Sequence, residues 1–323
     1  MTDALSEILS GIRLSGSAFF DAELTAPWSV QTPTGAEIAK RLAPGAARII
    51  PYHLIVEGAC SLRLGDASPL TLDARDVVCF PHGDVHRLAS SVDVKPTIPT
   101  DAMVAMTRAD EVTPVTHGGG GSTTRIICGF FACASALSDR IVTPLPRVLK
   151  FRAGNDSPAM LLPSAVREAR SDGERGARPG THAVLCKLSE LLFVEAVRSY
   201  VDTLDDSSSG WLVALKDRHV SAVLALMHGQ PARPWTLETL AERIGASRSM
   251  LGERFARLMG QAPMQYLSQW RLHLAADALA SSDSATKRIA SDAGFGSTAA
   301  FSRAFKREFG VPPARWRAGA APA

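Results

Sequence analysis

Residues 236–260 read TLETLAERIGASRSMLGERFARLMG, and residues 289–310 read IASDAGFGSTAAFSRAFKREFG. In the first stretch Leu237, Leu240, Ala241 and Ile244 fall at i, i+3, i+4 and i+7, the apolar stripe of an amphipathic helix. Gly245 adopts positive φ cheaply, so a sharp turn is expected there. Ser247 can cap a following helix by accepting a backbone N–H bond, and Leu251, Phe255 and Leu258 give that helix its own apolar face. Two such faces buried against each other leave the first residues of the second helix exposed. That geometry delivers a recognition helix to a major groove. The second stretch repeats the plan: Ile289 and Ala290 face inward, Gly294 turns, Ser297 caps, and Phe301, Phe305 and Phe309 make an i, i+4, i+8 stripe. Ser247 to Ser297 and Leu251 to Phe301 are each offset by 50 residues, and Ala241 to Ala290 by 49, so the second turn is one residue longer. MQYLSQWRLHLAADALA (264–280) reads as a connecting helix. One such pattern arises often by chance; two in register, both basic, are much more specific. The bland alternative is a helical bundle with accidental repetition.

Charge points the same way. From Trp211 onward there are 15 Lys+Arg and 8 Asp+Glu, a net of +7, whereas residues 1–210 carry −4. A basic C-terminal third suggests a polyanion-binding module. The whole chain of 323 residues has a net charge of +3, 46% hydrophobic and 21% charged residues, which allows two globular domains and excludes collagen, coiled coil and bulk disorder. The longest near-apolar stretch, Ile126 to Leu137, is too short to cross a bilayer, which takes about 20 residues. MTDALSEIL at the start lacks the basic region of a secretory signal. Five cysteines without metal-finger spacing fit a reducing cytoplasm better than a disulfide scaffold.

Upstream, residues 47–90 read as strands. RIIPYHLIVEGACSLRL (48–64) is apolar and β-branched, GDASP breaks it, and VVCFP leads into the turn PHGDVH (81–86). Residues 91–124, ending near HGGGGS (117–122), read as a flexible connector, and RIICGFFA (125–132) as a returning strand. Residues 182–204 show helical spacing, and DDSSSG (205–210) is the best domain boundary.

PWTLETLAERIGASRSMLGERF (234–255), GQAPMQYLSQWRL (260–272) and IASDAGFGSTAAFSRAFKREFGVPPARWR (289–317) resemble the DNA-binding domain of the AraC/XylS family of transcriptional regulators. The resemblance implies two recognition helices in successive major-groove segments. Carried over, the first presents Arg248, Ser249, Gly252 and Glu253, and the second Thr298, Ala299, Ser302 and Arg303. Arg248 and Arg303 can each pair with guanine or bind phosphate. Lys306, Arg307, Arg315 and Arg317 are read as phosphate contacts or a solvated face. Glu253 departs from the Arg often found there; it can accept from cytosine or pair with Arg254 or Arg257. Gly252 adds no side chain, so Arg303 is expected to matter more than the first helix.

YHLIVEGACSLRL (52–64), PLTLDARDVVCFPHGDVHRL (69–88), RIICGFF (125–131) and GWLVALKDRHVSAVLALMHGQPARPW (210–235) are similar to the cupin-containing subgroup of that family. Pro81, Gly83 and His86 keep the Pro-x-Gly-x-x-His element, while Arg75 stands where its upstream Gly is usual. Metal cupins take His-x-His and Glu from the preceding strand, and that set is missing here, so the chain is not expected to be an enzyme. A non-standard site of His53, Cys60, His82 and His86 would suit zinc. Alternatively these are core residues and satisfied turn histidines. Strict alternation puts His53 and Cys60 on opposite faces unless Gly58 bulges.

The expected fold is α+β with two domains: residues 1–205, a cupin-like β-barrel with trailing helices that senses an effector and supports a dimer, and residues 206–323, an all-α double helix-turn-helix. The expected function is sequence-specific, DNA-binding transcription regulation, in which the cupin domain senses a small molecule, metal or oxidant. The competing function is a metal-dependent cupin enzyme fused to a DNA module. Expected partners are double-stranded promoter DNA, RNA polymerase if the protein activates, a small-molecule effector and a second copy, with no membrane.

Overall fold

The computed structural model describes residues 3–10, 14–98, 111–133, 141–175, 178–205 and 210–319. Four of the six residues of the DDSSSG break, 206–209, and part of the expected 91–124 connector lie outside them. The fold is α+β, and contacts group the chain into two units. One takes in Arg13–Ala134 and Leu145–Asp202; the other takes in Met1–Ile12, Ser135–Pro144 and Thr203–Ala323.

The first unit holds β1 (Leu14–Thr25), β2 (Ser29–Gln31), α2 (Gly35–Leu42), β3 (Arg48–Glu57), β4 (Ala59–Arg63), β5 (Leu70–Asp73), β6 (Asp76–Cys79), β7 (Arg87–Ala89), β8 (Val112–Gly118), β9 (Thr123–Cys133) and β10 (Leu149–Arg152). Helices α3 (Leu162–Arg175) and α4 (Thr181–Thr203) follow. The strands form two sheets, ordered β10-β6-β3-β9-β1-β8 and β2-β7-β4-β5, rather than one hydrogen-bonded ring. Every pairing between them is antiparallel except β1 with β8. Trp28, Ile55, Leu62, Leu72, Phe80, Leu88 and Ile126 belong to one buried cluster built from both sheets. Central β3 is buried from Ile49 to Ile55, which explains a sequence there that is apolar but for His53. Tyr52 on β3 stacks on Phe131, which meets Phe193 of α4. Ser189 Oγ donates to the Leu185 carbonyl, so it accepts the Tyr52 hydroxyl at 2.8 Å. Gly129 makes room for Tyr52, since a Cβ there would stand 2.5 Å from the phenol oxygen.

Two sequence expectations change here. The stretch 48–64 is not one strand: it turns at Gly58, whose φ is +75°, and β3 and β4 belong to different sheets, so counting alternation from His53 to Cys60 does not apply. HGGGGS is not a loose connector but the end of β8 and its turn into β9. A Cβ on Gly118 would stand 1.8 Å from the Thr25 carbonyl oxygen, and Gly119 and Gly121 pack on Pro27 and Ala26. Arg75 is the one non-glycine with positive φ among the described residues, at +77°, so the DARD turn keeps a left-handed conformation without its usual glycine.

The second unit holds α1 (Ala4–Ser10), α5 (Trp211–Ala214), α6 (Arg218–Gly229), α7 (Leu237–Arg243), α8 (Arg248–Met259), α9 (Pro263–Ser281), α10 (Thr286–Asp292), α11 (Thr298–Phe309) and α12 (Pro313–Arg317). Helix α9 serves two cores. Its Tyr266 and Leu267 join Val223, Leu240, Leu251 and Phe255. Its Leu272, Ala276 and Leu279 join Ile289, Phe301 and Phe305. Helix α1 packs on α6, and its Ala4 joins the first of these cores.

Candidate DNA interface and effector cavity

The duplicated motif has the local chemistry that its sequence demands. Thr236 caps α7 in a reciprocal box with Thr239, Gly245 turns at φ +66°, and Ser247 Oγ accepts the Met250 N–H at 3.2 Å. In the second unit Gly294 turns at φ +79° and Ser297 Oγ accepts the Ala300 N–H at 3.2 Å. Leu251, Phe255 and Leu258 are buried, as are Phe301 and Phe305, so each recognition helix presents a fixed outer face. Phe309 is half-buried and completes its stripe against Trp316, with ring centroids 4.8 Å apart.

On those faces Arg248, Ser249 and Glu253 are exposed and Gly252 is half-buried; Ala299 and Arg303 are exposed, with Thr298 and Ser302 half-buried. The two arginines differ. Arg248 Nη1 lies 2.7 Å from Glu238 Oε1 on α7, whereas Arg303 has no ionic partner among the described residues. Glu253 accepts from Ser249 Oγ at 3.1 Å instead of pairing with Arg254. Arg254 pairs with Asp217, whose carboxylate also caps α6. Arg317 is half-buried and donates to the Ser284 carbonyl, so it is a structural clamp rather than part of a solvated face. Sequence reasoning passed over Arg271, whose Nε and Nη2 each lie 2.7 Å from the carbonyls of Pro231 and Arg233. Its only signal is an Arg set between Trp270 and Leu272, both buried, on the connecting helix.

The first unit holds a partly open cavity of about 80 Å³. Leu24, Val30, Leu88, Val115, Ile126 and Phe130 give it hydrocarbon walls, and although Trp28, Thr32, His53 and Cys128 also line it, its exposed surface is almost wholly apolar. His53 Nε2 and His86 Nε2 are 2.6 Å apart, and His86 stacks on Phe80 with centroids 3.5 Å apart. His86 Nδ1 lies 2.8 Å from the Asp84 carbonyl and 3.1 Å from Thr32 Oγ1. Burial drives both rings toward the neutral form, His86 to a pKa of about 4 and His53 well below the ordinary value.

The four metal candidates do not gather. Two imidazole nitrogens on one tetrahedral zinc, each about 2.0–2.1 Å from the ion, stand about 3.3 Å apart. The His53–His86 spacing is instead that of an N–H···N hydrogen bond. His82 lies elsewhere, bonded to the Leu145 carbonyl at 2.9 Å and to Arg48. Cys60 is buried in the apolar cluster between the sheets. Among the described residues no group of three or more His, Cys, Asp and Glu is placed to hold a metal ion. A resident zinc therefore does not fit these residues. Burial also pushes the Cys60 and Cys79 thiols up to about 12 and Cys128 higher still, so none is a thiolate near neutral pH. No described helix is long and apolar enough to cross a membrane.

A cupin unit joined to a double helix-turn-helix defines a class of DNA-binding regulators. Residues 3–202 match the model of a cupin family, and residues 240–319 match that of a helix-turn-helix domain. An AraC-like transcription regulator of Streptomyces lividans is 30% identical over 275 residues, 84% of this chain and 88% of that one. The HTH-type transcriptional regulator AlkR of Acinetobacter baylyi is 28% identical over 320 residues, 98% of this chain and 99% of its own. The RCS-specific HTH-type transcriptional activator RclR of Escherichia coli is 27% identical over 320 residues, covering 98% and 97%. The chain belongs to the AraC family of transcriptional regulators, among those with an N-terminal cupin domain.

Proposed function

We propose that this regulator is a one-component switch in the cytoplasm. A small organic effector enters the cupin cavity, and its differential affinity for two conformations changes how the two recognition helices engage promoter DNA. The observation that carries this reading is the pocket itself: a partly open, hydrocarbon-walled space in a domain with no gathered metal ligands among the described residues. High thiol pKa values weigh against an oxidant acting at Cys60, Cys79 or Cys128. Arg248, Ser249, Gly252, Glu253, Thr298, Ala299, Ser302 and Arg303 form the DNA-facing set, with Arg303 the leading base reader because no acidic side chain holds it. Val184 and Leu191 of α4 are exposed, an apolar face that a second copy can cover. RNA polymerase becomes a partner if the protein activates, as one relative does by its name.

The test uses the full chain. A duplex selected from a random-sequence pool is compared with its scrambled version by fluorescence anisotropy across a salt series. The expected result is a preference of about 10³-fold or more and a steep fall of affinity with salt, as released counterions require. Equal affinity for both duplexes, or no binding at low salt, would overturn the reading.

A further inference from the structure

Helix α9 gives Tyr266 and Leu267 to the core of the first motif and Leu272, Ala276 and Leu279 to that of the second. Among the described residues no side chain belongs to both cores. A single connecting helix lets one core swing against the other, because long helices bend gently. Half-buried Arg271 lies between the two sets. Its Nε donates to the Pro231 carbonyl and its Nη2 to the Arg233 carbonyl, each at 2.7 Å. Those carbonyls flank Ala232, in the segment that leads from α6 into α7.

That segment is fixed to the first motif. Trp235 is buried in the first core, and its indole N–H donates to the Gln230 carbonyl at 3.0 Å. The Arg233 guanidinium lies 4.4 Å from the centre of the Trp235 ring and donates to Gln230 Oε1 at 3.1 Å. Ala232 in turn lies against the turn of the second motif. Gly294 comes so close that a Cβ there would stand 3.0 Å from Ala232 Cα and 3.1 Å from Arg271 Cζ. Arg271 therefore sits where the first motif's leading segment, the connecting helix and the second motif's turn converge. From that turn the chain enters α11, which carries Arg303. A planar guanidinium fork can hold two carbonyls at once in fixed directions, whereas an ammonium is a point charge on a flexible stem.

We propose that Arg271 is a positioning residue that sets the spacing of the two recognition helices, so that the protein accepts its two DNA half-sites at one separation and rejects them one base pair nearer or further apart. This rests on reading α8 and α11 as the DNA-facing helices. One added base pair turns the second half-site by about 35° and moves it about 3.4 Å along the duplex axis. A braced pair of helices cannot follow that change, and a pair joined by α9 alone can follow more of it.

The test is fluorescence anisotropy of the full chain on a selected duplex, with one base pair inserted or removed between the two segments that single-base substitutions show to be read. The unmodified protein should bind either altered duplex about 30-fold or more weakly than the parent. Arg271→Met keeps the apolar stem and removes the fork, and should lose no more than about fivefold between the same duplexes, whatever its affinity for the parent. Arg271→Lys keeps the charge without the fork and should behave like Arg271→Met. The readout is a ratio within one protein. A smaller folded fraction weakens binding to every duplex alike, so a merely structural role would leave the ratio unchanged. Where Arg271→Met does not fold by circular dichroism, Arg271→Lys decides by the same ratio; if neither folds, Arg271 is a structural residue alone and the proposal falls. An unmodified protein that tolerates the altered spacing, or folded variants as strict as the unmodified protein, would overturn the brace and leave the DNA reading standing. Equal binding of selected and scrambled duplexes by the unmodified protein would overturn the DNA reading and the brace with it.

Discussion

Gly245 and Gly294 occupy equivalent turns, yet the same substitution should act differently at each. At Gly245 an added Cβ meets nothing within 4 Å, so Gly245→Ala costs only the left-handed backbone, about 1 kcal/mol. At Gly294 the Cβ would stand 2.9 Å from the Ala232 carbonyl oxygen, 3.0 Å from Ala232 Cα and 3.1 Å from Arg271 Cζ. Those neighbours cannot readily retreat, because Arg271 is fastened to the carbonyls on either side of Ala232. Overpacking of that kind adds about 1–3 kcal/mol, for a total of about 2–4 kcal/mol. The assay is hydrogen exchange of the full-length variants, resolved onto α7–α8 and α10–α11. Gly294→Ala should speed exchange in α10–α11 about 30- to 1000-fold, and Gly245→Ala should speed it in α7–α8 by less than about tenfold. DNA affinity should fall more in the Gly294 variant, since α11 leaves that turn carrying Arg303. Equal loss of protection in the two motifs would refute the argument from close approach.

Arg303→Ala should cost about 1–3 kcal/mol on the selected duplex and less on a scrambled one; equal losses would make Arg303 a phosphate contact. Arg75→Gly should raise stability by about 1 kcal/mol in urea titrations by relieving the left-handed strain, and an unchanged midpoint would contradict this. His86, faced by His53 and near the Asp84–Arg147 pair, has a folded pKa of about 4. Its folded value lies below the ordinary 6.5, so its contribution is fully present above about pH 6.5. As the pH falls toward 4 about 3 kcal/mol is lost, and a ring titrating near 6.5 by NMR would sink the prediction. Iodoacetamide at pH 7.5 should modify half-buried Cys186 well before buried Cys60 and Cys79, and before Cys128, which is also half-buried but whose thiol is pushed up; rapid labelling of those three would reopen thiol sensing.

What the sequence revealed depended on how local the determining physics is. The double helix-turn-helix was legible because Gly245, Ser247, Gly294, Ser297 and the apolar stripes act within a few residues of one another. The strands β3 to β7 and β9 were legible from their apolar runs, and so was α4. The side-chain cluster was not, because whether His53 meets His86 rather than Cys60 depends on the path of the chain from one sheet to the other. Glu253 and Arg254 are adjacent in sequence but leave α8 in different directions, so their partners, Ser249 and Asp217, could not be read from spacing. The glycine run 118–121 looked like slack because composition alone does not show that Thr25, Ala26 and Pro27 lie against it.

Helix α1 packs on α6, a helix that begins more than two hundred residues later in the chain. On the ribosome that interval lasts roughly 10–40 s at ordinary elongation rates. A helix of seven residues is not stable alone in water, so α1 waits without its partner while the strands are made. The unit that carries the recognition helices therefore closes only once helices from the C-terminal third have been made and can join α1. Contacts of such long sequence separation slow folding, and they make a tag fused ahead of Ala4 a perturbation of the far end of the protein.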